Sequence, residues 1–150
     1  MFKEEEGFTL VELITVVAII AILGAVVTPN ILKAIENSRV VAVVSDIKTI
    51  KNAALAYYAD TGRWPENSSG DDPGFLNNQG SPVEGWNGPY LESWPQKNPW
   101  GGVYSLSCTG DKLFLHLTKV PAGALEKLEE KLGEKIGSRG NGQISISLAN

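Results

Sequence analysis

The chain has 150 residues, enough for one compact domain with a segment to spare and too few for a large multidomain enzyme. Thirteen Lys and Arg against seventeen Asp and Glu leave a net charge of -4, the wrong sign for binding nucleic acid by phosphate neutralisation, so no nucleic-acid partner is expected. A single Cys (Cys108) and a single His (His116) exclude an internal disulfide and a Cys/His zinc site made by this chain alone.

From Phe8 to Val27 the sequence FTLVELITVVAIIAILGAVV carries one charge, Glu12. As a helix, that run spans the roughly 30 Å apolar core of a bilayer. A cleaved secretory signal would want a basic start, a shorter apolar core and a small-residue cleavage site after it. The flank here is MFKEEEG, where Glu4, Glu5 and Glu6 outnumber Lys3, so charge does not set the orientation. Glu12 has no cation one turn on, where Thr15 and Val16 stand, and an ionised carboxylate in hydrocarbon is costly without a partner. A cut between Gly7 and Phe8 would place a new α-amine four residues before Glu12, on the same chain or available from a neighbouring subunit.

The string G7-F8-T9-L10-V11-E12, with the apolar run behind it, resembles the class III signal of type IV prepilins and type II secretion pseudopilins. The resemblance implies a leader over residues 1–7, removed by the prepilin peptidase between Gly7 and Phe8, and N-methylation of Phe8. It implies a transmembrane and filament-core helix over 8–28, then an amphipathic continuation and globular head over 29–150. Glu12 and Thr9 are the expected assembly residues, Glu12 pairing with the amino terminus of an adjacent subunit, and Pro29 matches the helix-kinking proline. The leader is more acidic than is usual for the family.

Beyond Pro29 the pattern becomes amphipathic. Ile31, Ile35, Val43, Ile47, Ile50, Ala54 and Tyr57 recur as one stripe, opposite Lys33, Glu36, Arg39, Asp46, Lys48 and Lys51, until Gly62 and Pro65 stop the helix. A helix from Thr9 to Thr61 would be roughly 80 Å long. That suits a chain whose apolar half is shared among subunits.

Residues 62–101 hold all four Trp and six of the eight Pro, and read as an ordered loop anchored by Trp64, Trp86, Pro89, Tyr90, Trp94 and Trp100. Its G88-P89-Y90-L91 and P99-W100-G101 segments resemble stretches common in pilins and in the major pseudopilin. The Asn67-Ser68-Ser69 pattern leaves glycosylation open. Asp71 and Asp72 adjoin, without the spacing of a calcium loop.

After Gly102 the residues alternate. Tyr104, Leu106 and Cys108 face one way, a T109-G110-D111-K112 turn follows, and Leu113, Leu115 and Leu117 share a face, predicting a hairpin with Cys108 as a buried free thiol. His116 lies on the opposite face with Phe114 and Thr118. Pro121 opens a helix from Ala122 to about Ile136, with Leu125, Leu128, Leu132 and Ile136 as its stripe and Gly137 as its end. Residues 143–148 form a last strand. The order of these elements resembles type IVb-like pilins, whose carboxy-terminal cysteine staple is missing here.

The expected fold class is α+β, a long amino-terminal helix packed on a small antiparallel sheet, pilin-like. The main functional expectation is a structural subunit of a type IV pilus-like filament, in the inner membrane as precursor and then in a cell-surface fimbrium. The alternative is the major pseudopilin of a type II secretion system, in a periplasmic filament. That family carries an Asp-rich calcium loop near its carboxy terminus, whereas no Asp follows Asp111 here. A second alternative is a membrane-tethered enzyme or binding domain. No nucleophile and base at suggestive spacing, phosphate loop or metal-ligand cluster supports it, so no enzyme, catalytic residue or metal is expected. No cofactor is expected either, with calcium the one open alternative. Implied partners are the chain itself as a helical homopolymer, the prepilin peptidase, a pilus or secretion assembly platform and the inner membrane before assembly.

Overall fold

The computed structural model describes residues 7–78, 82–133, 136–138 and 140–149; of the leader, residues 1–6 lie outside the described residues. Helix α1 spans Leu10–Thr61 and contains Pro29. Strands β1 (Tyr104–Thr109) and β2 (Lys112–Leu117) are followed by helix α2 (Ala122–Leu132), β3 (Gly137–Ser138) and β4 (Ile144–Ala149). The chain divides into two compact units, Met1–Asn37 and Ser38–Asn150.

In the first unit, described from Gly7, every residue but the half-buried Glu36 is exposed. The hydroxyls within the apolar run are satisfied by the helix itself: Thr15 donates to the Val11 carbonyl and Thr28 to that of Gly24, both at 2.7 Å. Such back-bonding closes each hydroxyl on the helix's own carbonyls.

The second unit has one core. Val40, Val43, Val44, Ile47, Ile50, Ala53, Ala54 and Tyr57 line the buried face of α1, at three- and four-residue spacings that keep them on one side. They join Tyr104, Leu106, Leu113, Leu115, Leu117, Ile144, Ile146 and Leu148, the alternate residues of the three long strands, with Ala124 and Leu128 of α2. The sheet is antiparallel, in the order β1-β2-β4-β3. Tyr104 stands opposite Leu117 and Leu106 opposite Leu115, so the hairpin puts its apolar residues on one face. Tyr104 is fully buried and its hydroxyl donates to Asp46 Oδ2 at 2.7 Å, tying β1 to α1.

Several expectations need correction. Ile31 and Ile35 continue the helical stripe in sequence but belong to the first unit and are exposed; burial starts at Val40. Cys108 is half-buried, its Sγ donating to the Gly110 carbonyl at 3.2 Å, because it stands next to the hairpin turn. Helix α2 stops at Leu132 rather than near Ile136. Gly133 takes a left-handed φ of 70° and donates its N–H to the Glu129 carbonyl, the ordinary glycine C-cap. Ile136 is buried outside the helix, its N–H donated to Glu129 Oε1, and Gly137 pairs with Ser145 in the sheet instead of ending a helix.

Candidate functional site

The amino-terminal site begins outside the helix. Gly7, Phe8 and Thr9 are non-helical and exposed, Phe8 at 91%, so the Gly7–Phe8 peptide bond lies outside the helix. Thr9 is the N-cap. Its Oγ1 accepts the Glu12 N–H at 3.2 Å, while Glu12 Oε2 accepts both the Thr9 N–H at 2.9 Å and the Thr9 hydroxyl at 2.7 Å. This is the reciprocal capping box, two otherwise unmet donors closed by two side chains. Among the described residues Glu12 therefore has a local polar partner despite lacking a cation. The sequence reasoning paired Thr9 with Glu12 for assembly and missed this bond, although the T-x-x-E spacing before an apolar run is its signal. Pro29 lies inside α1 with no N–H to give to the carbonyl four residues back.

The second candidate region, the loop of residues 62–101, is held by indole N–H groups and rings. Trp64 Nε1 donates to the Asp111 carbonyl at 3.0 Å, Trp86 Nε1 to Gly74 at 2.9 Å and Trp94 Nε1 to Gly70 at 2.9 Å. The Tyr90 hydroxyl accepts from the Asn87 N–H and donates to Asp60 Oδ2, both at 2.9 Å. Edge-on contacts link Trp86 to Tyr90, Tyr90 to Tyr57 and Tyr57 to Phe75 at centroid distances of 5.5 to 5.9 Å. Trp94 is buried, and Trp64, Trp86, Tyr90 and Trp100 are half-buried against the core. Pro89 is exposed, whereas its neighbour Tyr90 is half-buried.

Two residues that sequence reasoning passed over organise the loop. Asn98, 3% exposed, accepts the Trp100 and Gly102 N–H groups at Oδ1, both at 3.0 Å, and donates Nδ2 to the Thr118 carbonyl at 2.8 Å. Phe75, fully buried, packs against both Tyr57 of α1 and Trp94 of the loop. An Asn before Pro signals a turn but not its burial. Asp72 spends both carboxylate oxygens on the Phe75 and Leu76 N–H groups, at 3.0 and 3.1 Å, and Asp71 is exposed. No cluster of three or more His, Cys, Asp or Glu suited to a metal occurs among the described residues. His116 Nε2 lies 2.6 Å from Ser107 Oγ, and its ring is stacked on Phe114.

The prokaryotic N-terminal methylation motif matches residues 3–28, and the PilW C-terminal family matches residues 34–116. The type II secretion system core protein G of Pseudomonas aeruginosa is 32% identical over 112 residues, covering 73% of this chain and 78% of that protein. The type IV major pilin protein PilE1 of Neisseria gonorrhoeae is 37% identical over 65 residues, 43% of this chain and 39% of that protein. Among solved structures, the major type IV pilin PilA1 from Clostridium difficile superposes with a TM-score of 0.56 at 26% identity, over 78% of this chain and 98% of that one. The chain therefore belongs to the family of type IV pilins and type II secretion pseudopilins.

Proposed function

We propose that this chain is a structural, non-catalytic subunit of a helical filament of the type II secretion kind, made as a membrane-inserted precursor. The proposal has it cut after Gly7, methylated on the Phe8 amine and polymerised. The observation that carries it is an apolar stretch that no other described residue covers: from Phe8 to Val27 all residues are exposed and one alone is charged. An apolar surface of that size needs lipid or other helices around it, and polymerisation exchanges the first for the second. Hydrolysis of the exposed Gly7–Phe8 bond leaves a cation where Glu12 needs one, and the Thr9 bonds hold the carboxylate oriented toward the helix start. Pairing that cation with Glu12 of a neighbour sets the axial register and spares two charges from lying unpaired in an apolar core.

The choice of secretion over the surface pilus rests on the relatives. Core protein G aligns over about three quarters of both chains, whereas the gonococcal pilin aligns over 43% of this one. The pilus remains the second reading, favoured by the solved pilin that this chain spans almost completely. Intact mass and electron microscopy on sheared surface material and on the periplasmic fraction test both. A chain beginning at methylated Phe8 is expected in short periplasmic fibres, with loss of exported enzymes on gene deletion. Long surface fibres with secretion intact would replace the first reading by the second, and an uncut, monomeric chain would overturn both.

A further inference from the structure

An outer strand of a sheet presents a row of N–H and C=O groups that another chain can pair with. Strand β1 is such a strand, and residues 64–70 run beside it. The Ser68 N–H donates to the Leu106 carbonyl at 2.9 Å, the Leu106 N–H donates to Ser68 Oγ at 3.2 Å, and the Cys108 N–H donates to Asn67 Oδ1 at 2.6 Å. One rung of this ladder is backbone and two are side chain. The segment is clipped at both ends by indoles, Trp64 on Asp111 and Trp94 on Gly70. Pro65, within it, is fully buried, and Gly70, at φ 116°, lies beside Val103, where an added Cβ would be in ordinary contact at 3.6 Å. The contacts run 64 to 111, 67 to 108, 68 to 106 and 70 to 103, an antiparallel order. Residues 64–68 nevertheless form no strand. Because its rungs are mostly side-chain groups, the segment offers no regular edge of its own. The far edge of the sheet is β3, only two residues long.

We propose that residues 64–70 are an edge guard, which stops β1 of one copy from pairing with the sheet of another and so confines self-association to the amino-terminal helix. The guard stands on the geometry of β1; that association should run through the helix rests on the filament reading above. A chain that must polymerise through one surface gains from blocking the other, since a free edge would compete with the filament at the high local concentration of a membrane. The Asn67-Ser68-Ser69 pattern has its carboxamide oxygen and first hydroxyl committed to β1, a use that a sugar-acceptor reading of the sequence does not supply.

The test uses the full chain in detergent micelles. Replacing Asn67→Ala and Ser68→Ala together should speed hydrogen exchange of the Leu106 and Cys108 amides about tenfold. It should also produce oligomers that bind thioflavin T and persist in a Glu12→Ala background. Trp94→Phe keeps an aromatic side chain but loses the indole N–H that clips Gly70; it should act in the same direction while near-ultraviolet circular dichroism reports a folded head. Unchanged exchange at Leu106 and Cys108 in both variants would overturn the guard, as would oligomers that disappear when Glu12→Ala is added, because those form through the helix. Failure of the filament reading looks different: the otherwise native chain would stay monomeric while the guard variants still paired by their edges.

Discussion

Asn98 and Tyr104 are both buried in the head, with their side-chain polar atoms committed to hydrogen bonds. Asn98→Ala strands two N–H groups and the Thr118 carbonyl in or beside the core. The expected cost is about 3 kcal/mol, read as a fall in the thermal unfolding midpoint. Tyr104 is raised above its ordinary value of 10.0, first by burial and then by the hydrogen bond and the negative charge of Asp46. The folded head keeps that proton at a pH where the unfolded chain has lost it, so stability is complete below pH 10 and falls as pH rises beyond it. Tyr104→Phe should lower stability by about 1 kcal/mol at neutral pH and flatten the alkaline decline, measured as unfolding midpoint against pH. Burial raises Tyr57 and Tyr90 too, so part of the decline should remain.

At the scale of elements, what decides a boundary is the local backbone. Helix α2 provides a matched pair of glycines. Gly133 lies at φ 70°, where a Cβ is strained whatever the space around it, whereas Gly123 sits in the helix with nothing within 4 Å of an added Cβ. Gly133→Ala should cost about 1 kcal/mol and Gly123→Ala should gain about 0.5 kcal/mol, so urea unfolding midpoints should move in opposite directions. The hairpin was legible because period-two alternation and the Gly110 turn agree. The end of α2 was not, because the stripe Leu125, Leu128, Leu132 and Ile136 continues in sequence past the point where Gly133 turns the chain. Ile136 is buried all the same, which is why periodicity mistook it for helix.

For the whole molecule, the proposed assembly turns on one carboxylate in an exposed apolar helix. Among the described residues Glu12 is held by Thr9. Glu12→Ala should leave cleavage after Gly7 intact, since the Gly7–Phe8 bond lies outside the helix. It should reduce filament yield at least tenfold for loss of the charge pair, judged by pelleting and microscopy. Filaments in normal number would remove Glu12 from the assembly mechanism and leave apolar packing to account for register.

By itself the sequence determined the long helix, its apolar first half, the cleavage motif, the hairpin and the α+β class. Each of these depends on spacing within a few residues, which the chain records directly. The tertiary structure alone decided where burial begins on α1, since the stripe from Ile31 to Tyr57 is continuous while the core starts at Val40. It also decided the roles of Asn67, Ser68, Asn98 and Asp46, which act on residues 20 to 58 positions away. A hydrogen bond over that separation leaves no periodic trace, because what fixes it is the packing of the loop across the sheet.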